Sequence, residues 1–244
     1  MSSTVALLVA ASLFAGTVDA IAGGGGLITL PALLSAGLPP DVALGTNKGQ
    51  SVWGAFAAML AFLRAGRVDK KQAVVAVPLA MIGSVAGAAL VQQIAPDALR
   101  PVVVAMLVGA AALIVVRKPR ERASRTAPLA AAILAVAIGV YDGFFGPGTG
   151  TFLIVGFVAL CGRTLVDASA DAKVVNFGSN LAAVILFAAN GRVVWELALP
   201  MAVGQLCGGL IGARLAMRGG ERVVRAMVLL ASGALVANLV REMI

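Results

Sequence analysis

Long apolar runs alternate along the chain with short polar or glycine-rich interruptions. The runs lie near 4–22, 26–37, 43–63, 71–92, 98–116, 127–145, 150–161, 167–189, 194–215 and 222–240. None shows the sustained period-two alternation of a membrane β-barrel. A helix rises 1.5 Å per residue, so roughly 20 apolar residues cross a bilayer. The runs at 26–37 and 150–161 are too short for that, and each follows a glycine-rich break. The pattern predicts an all-α polytopic membrane protein with about eight long transmembrane helices and two short half-helices.

The runs fall into two sets of five that resemble each other. "GTVDAIAGGGGLITL" (16–30) lies over "GVYDGFFGPGTGTFL" (139–153) with a shift of 123, so Gly16, Asp19, Gly23 and Gly25 meet Gly139, Asp142, Gly146 and Gly148. After a two-residue gap, Lys48 meets Lys173, and the "GRV" at 66–68 meets the "GRV" at 191–193. The same register pairs Gly83, Gly87 and Arg100 with Gly208, Gly212 and Arg225. A duplication follows, with a first transmembrane repeat at 1–118, a basic linker at 119–126 and a second repeat at 127–244. The start, "MSSTVALLVAASLFAGTVDA", has a faint likeness to a signal peptide but lacks a basic n-region, and reads as the first span.

Composition fits this picture. The chain is 60% hydrophobic and 12% charged, whereas soluble domains average about 45–50% apolar and about 25% charged. So few charges cannot cover a soluble surface of this size, so lipid is the expected partner of the outer face. The net charge of +8 would suggest nucleic acid in a soluble protein, but here the cations sit in short loops, so no nucleic-acid partner is expected. Arg64, Arg67, Lys70 and Lys71 mark one loop as cytoplasmic, and the linker as another. The loop at 92–97 carries no cation, while its counterpart holds Arg214, Arg218, Arg222 and Arg225. Equivalent loops on opposite sides imply an inverted repeat, with Arg192 pulling weakly against it. Cys161 and Cys207 sit in apolar context and read as packing residues. There is no histidine and no metal-ligand spacing, so no metal, cofactor or enzymatic activity is expected.

Ionisable residues inside apolar runs are costly and usually face a polar path. Asp19, Lys48, Asp142 and Lys173 are such residues, at equivalent positions of the two halves, with Asp171 nearby. Bland readings exist for each: a helix cap or interface for the aspartates, snorkelling to the interface for the lysines. The glycine clusters Gly23, Gly24, Gly25, Gly26 and Gly146, Gly148 free backbone groups that a continuous helix would consume. In lipid such a break is tolerated only where it is buried in protein or lines a cavity. A half-helix N-terminus after the break suits an anion. A nucleotide-binding loop is excluded, because no Lys-Ser/Thr follows the glycines. Gly83/Gly87 and Gly208/Gly212, at GxxxG spacing, read as helix packing. Thr29, Thr149 and Thr151 stand near the breaks. Thr46, Asn47, Lys48, Gln50 and Ser51 begin one span; Lys173, Asn176, Ser179 and Asn180 begin its counterpart. Their hydroxyl, amide and ammonium donors are candidates to replace an oxyanion's hydration.

The segments "DAIAGGGGLITLPALLSAGLPPDVALGTNKGQS" and "LRAGRVD", with "YDGFFGPGTGTFL", "DASADAKVVNFGSN" and "NGRVVW" in the second half, resemble the TauE/SafE family of sulfite and organosulfonate permeases over nearly the whole chain. The resemblance implies transport of small sulfur-containing or other organic anions across the inner membrane. The expected function is a secondary anion transporter working by alternating access, with Asp19 and Asp142 coupling a proton or sodium ion. A passive anion channel is the alternative.

Overall fold

The computed structural model describes residues 2–95, 97–99, 101–103, 105–106 and 128–243, with the backbone alone at 2, 128, 221, 224–225 and 227–243. Among the described residues the main helices run in this order: α1 (Ser2–Ala22), α2 (Gly26–Ser35), α3 (Pro40–Arg64), α4 (Lys70–Val91), α5 (Pro128–Phe144), α6 (Thr149–Cys161), α7 (Leu165–Ala189) and α8 (Trp195–Met243). The helix α8 leaves helical geometry at Gly220 (φ 58°, ψ −153°). No strand occurs among the described residues. The linker expected at 119–126 and most of the run at 98–116 lie outside them.

Local chemistry sets the ends. α3 opens on Pro40, whose missing N–H is one that a helix start leaves unpaired anyway, with Asp41 in the first turn against the positive dipole end. The Asp69 carboxylate caps α4 by accepting from the N–H groups of Lys71 and Gln72, and the Thr164 hydroxyl caps α7 by accepting from Asp167.

Among the described residues four helical stretches are long and apolar enough to cross a membrane: Ser3–Ala22, Lys70–Val91, Leu165–Ala189 and Trp195–Gly220. Eight such spans were expected from the apolar runs. α3 has the length, at 25 residues, but its first half carries Asp41, Thr46, Asn47, Lys48, Gln50 and Ser51. The described part of α5 has 17 residues. The half-helices are short, at 10 residues for α2 and 13 for α6.

Small residues bring the long helices into backbone contact. Gly204, Gly208 and Gly212 of α8 meet Ser12, Leu13 and Thr17 of α1 in ascending order, so these two helices run in the same direction. Gly83 and Gly87 of α4 meet Val136 and Val140 of α5 in the same way. Along α3 and α8, Gly49 lies beside Ala198 and Gly54 beside Gln205. α4 and α7 also run together: Asp69 N–H donates to Asp171 at 2.8 Å near one end, and Asn190 donates to Gln92 at 2.8 Å near the other. By contrast α3 and α7 run in opposite directions, because Gly45 meets Phe187 while Phe56 packs on Phe177 with ring centroids 5.6 Å apart.

Each half-helix is buried in its own apolar cluster. Leu153 of α6 shares one with Phe62 of α3, and Leu30 of α2 shares the other with Phe187 of α7. In the repeat register Leu30 corresponds to Leu153 and Phe62 to Phe187. Each cluster therefore draws side chains from both halves, and the two halves close around each other. That arrangement brings the glycine breaks together.

Candidate functional site

The site forms where α1 and α5 end and the glycine breaks begin. Gly23 takes φ 82°, a left-handed backbone that costs any residue with a Cβ. A Cβ there would run into the backbone of Gly150 and Thr151, so the two breaks lie backbone on backbone. Gly26 meets Pro147 in the same crossing. Gly148 caps α6 in the left-handed conformation at φ 85°.

Broken helices leave carbonyls without partners, and hydroxyls from nearby helices take them up. Ser169 donates to Ala20 O at 3.0 Å and Ile21 O at 3.2 Å, and Thr151 donates to Ala22 O at 2.6 Å. Thr29 donates to Gly25 O at 3.2 Å and to Asn47 Oδ1 at 2.6 Å. Thr149 shares its one hydroxyl proton between Gly146 O at 2.6 Å and Asp142 Oδ1 at 2.8 Å, and the Tyr141 hydroxyl donates to Pro147 O at 2.6 Å.

The four intramembrane charges pair across the halves. Lys48 Nζ of α3 lies 2.7 Å from Asp142 Oδ1 of α5, with the side chains 2% and 1% exposed. Lys173 Nζ of α7 lies 2.7 Å from Asp19 Oδ2 of α1, at 0% and 19%. The lysines do not snorkel: both are buried, and each is neutralised by a carboxylate from the opposite half of the chain. Bringing two charges out of water is expensive, and mutual attraction with further hydrogen bonds must offset it. Asp142 meets that need by also accepting from Thr149 Oγ1 at 2.8 Å and from Ser179 Oγ. Asp19 accepts from Gly25 N–H at 3.2 Å, so one backbone donor at the start of α2 is spent on the protein's own carboxylate.

The remaining predicted residues divide. Gly24 O accepts from Leu27 N–H within the first turn of α2. Asn47 accepts from Thr29 and from Gln50 Nε2 at 2.9 Å, while Ser51 accepts from the same amide at 3.0 Å. Asn180 donates to Asn176 O one turn back. Thr46 lies apart from the breaks: its hydroxyl accepts from Val194 N–H at 3.0 Å and holds the loop before α8. Asp171, at the equivalent position, does the same for the loop before α4 and pairs with Arg163 at 2.7 Å. Sequence reasoning missed Ser169 and Tyr141. Ser169 was within reach, because 169, 173, 176 and 180 recur on one helix face.

Two further pairs close opposite ends of α3 and α7. Arg67, beyond the end of α3, lies 3.5 Å from Asp167 in the first turn of α7. Arg192, beyond the end of α7, pairs with Asp41 in the first turn of α3. A surface cavity of about 460 Å³ is lined by Ala65–Asp69, Arg163 and Asp167. It lies about 25 Å along α3 from Lys48, at 1.5 Å per residue, so it is a rim feature and not part of the site.

The chain's similarity to known proteins matches this architecture. The family model for the sulfite exporter TauE/SafE matches residues 8–239. The chain is 39% identical to a probable membrane transporter protein, ORF9, of Sinorhizobium sp over 243 residues, covering 98% of this chain and 93% of the relative. It is 37% identical to the probable membrane transporter protein YfcA of Escherichia coli (strain K12) over 235 residues, covering 95% and 87%. A probable membrane transporter protein of Haemophilus influenzae is 39% identical over 243 residues, covering 98% and 95%. No solved structure matches the chain. The chain, a multi-pass membrane protein with two facing helix breaks, belongs to the TauE/SafE sulfite exporter family of membrane transporters.

Proposed function

We propose that this family member is a secondary transporter of small anions, namely sulfite, an organosulfonate or a related sulfur-containing or organic anion, across the inner membrane. One observation carries the reading: two buried Lys–Asp pairs, exchanged between the repeats, sit at two glycine breaks that touch. Buried ionisable groups at broken helices are the usual construction of a midplane substrate site. The family's description as a sulfite exporter supports sulfur oxyanions as the substrate class. Asp19 and Asp142 are the ion-coupling residues in this reading. Gly23–Gly26, Gly146 and Gly148 supply backbone around the anion. Thr29, Asn47, Lys48, Ser51, Thr149, Thr151, Lys173, Asn176 and Asn180 surround it. Thr46 supports a loop.

The two halves act as an inverted repeat that rocks around this site. The opposed course of α3 and its equivalent α7 supports that reading, as does the common direction of α1 with α8 and of α4 with α5. The loop with Arg64, Arg67, Lys70 and Lys71 faces the cytoplasm. Arg192, on the opposite face, is neutralised by Asp41, which removes its weight in the charge rule.

Purified protein in liposomes is tested for uptake and counterflow of [35S]sulfite, [14C]ethanesulfonate and carboxylates. Saturable flux with counterflow of at least one sulfur anion is expected. Conduction at channel rates sinks the carrier reading, and flux unchanged in a Lys48→Ala/Lys173→Ala variant removes the lysines from the site.

A further inference from the structure

The two Lys–Asp pairs are equivalent by sequence but not by surroundings. Asp142 is 1% exposed and accepts from Lys48, Thr149 and Ser179. Asp19 is 19% exposed and accepts from Lys173 and the Gly25 N–H alone. The repeat register explains the difference. Thr149 corresponds to Gly26 and Ser179 to Gly54, so the two hydroxyls that donate to Asp142 are replaced by glycines at the equivalent positions of the first half. The space at Gly54 is taken instead by Gln205. We propose that the Asp19–Lys173 pair is the working exchange site, trading its carboxylate for a substrate oxygen as Asp19 takes up one proton, while Asp142–Lys48 is a fixed strut. This inference rests on the transporter reading and deepens it by narrowing the ion coupling from both aspartates to Asp19.

The charge balance follows directly. At rest the pair is neutral, one ammonium and one carboxylate. A proton from the aqueous side converts the Asp19 carboxylate to the acid, which no longer competes for the ammonium. The Lys173 N–H that pointed at Oδ2 then donates to an oxygen of a monovalent anion. One proton and one negative charge enter together, so the loaded site is again neutral and can cross the low-dielectric interior without a net charge. Among the described residues Lys173 is the one cation within ion-pair distance of Asp19. α8 presents Gly208 and Gly212 to this end of α1, α2 presents Gly25, α6 presents Gly150 and Thr151, and α7 presents Ser169 with Lys173. Around Asp142 stand Lys48 from α3, Thr149 from α6, Ser179 from α7 and Tyr141 beside it on α5, while α4 presents Ser84.

The test uses the full-length protein in liposomes with a trapped pH dye and a potassium-clamped membrane potential. The probes are [14C]ethanesulfonate, which carries no titratable proton of its own, and [35S]sulfite. With ethanesulfonate, uptake is expected to acidify the lumen at one proton per anion and to be insensitive to the clamped potential. Its affinity is expected to strengthen by about tenfold per pH unit lowered, where Asp19 is ionised without substrate. Asp19→Asn is expected to retain counterflow, lose the pH dependence and become sensitive to the potential. Ser179→Ala, which takes one donor away from Asp142 and so loosens the strut, is expected to leave the ratio at one. Wild-type flux that is driven by the potential and moves no proton overturns the inference and leaves the transporter reading standing. An Asp19→Asn flux with unchanged pH dependence also overturns it. Absence of flux for both probes overturns the transporter reading itself, and this inference with it.

Discussion

Replacing Gly23 by alanine separates the two physical demands on the first break, and Gly37 supplies the control. Both glycines have a left-handed backbone, φ 82° and 91°. That conformation costs an alanine about 1–2 kcal/mol. At Gly37 the cost stops there, because a Cβ would meet nothing within 4 Å. At Gly23 the Cβ also collides with the carbonyl carbon and Cα of Gly150 and the amide of Thr151. Those are backbone atoms and cannot turn aside, so the breaks must part. Overpacking of this kind costs about 1–3 kcal/mol more, and the 2.6 Å bond from Thr151 to Ala22 O is strained with it. Gly23→Ala should therefore lose about 2–5 kcal/mol against about 1–2 kcal/mol for Gly37→Ala. Thermal unfolding followed by size-exclusion of the detergent-solubilised protein checks the order, with a separation of several degrees expected at about 2–4 °C per kcal/mol. Anion counterflow should survive Gly37→Ala and fail in Gly23→Ala. Equal melting temperatures for the two variants contradict the contact between the breaks.

Further outcomes follow from the same geometry. Lys48→Met leaves Asp142 charged and buried, so it should cost about 3–5 kcal/mol, while Lys48→Met/Asp142→Leu should recover most of that loss; thermal unfolding of both checks this. Thr46→Val removes the bond to Val194 N–H and should cost about 1 kcal/mol of stability while leaving the relative rates for different anions unchanged. Cysteines placed at Gly66 and Gly191, where a Cβ meets nothing within 4 Å, should be labelled by an impermeant maleimide from opposite faces of the membrane in a background free of Cys161 and Cys207. Labelling from the same face contradicts the inverted arrangement. The half-exposed Arg67–Asp167 pair, at 3.5 Å, should contribute under about 1 kcal/mol, and its removal by Arg67→Ala should barely shift the melting temperature.

The apolar runs, the breaks and the repeat were legible in the sequence because each depends on residues close together along the chain. Helix length, glycine content and internal likeness are local properties, and α1, α2, α6, α7 and α8 stand near the predicted positions. So was the need of Asp19, Lys48, Asp142 and Lys173 for a partner, because a charge in an apolar run is costly wherever it ends up. Their pairing was decided only by the tertiary structure. Lys48 and Asp142 are 94 residues apart, Lys173 and Asp19 are 154 apart, and no local pattern says that each lysine crosses to the other repeat. The same holds for Thr46, whose hydroxyl the packing brought against α8's leading loop. Helix formation is settled over a few turns, whereas desolvated charges are matched by whichever groups the packed helices bring within 3 Å. The sequence by itself determined that two polar, glycine-broken segments lie in an apolar chain; the packing of the two halves decided that they meet.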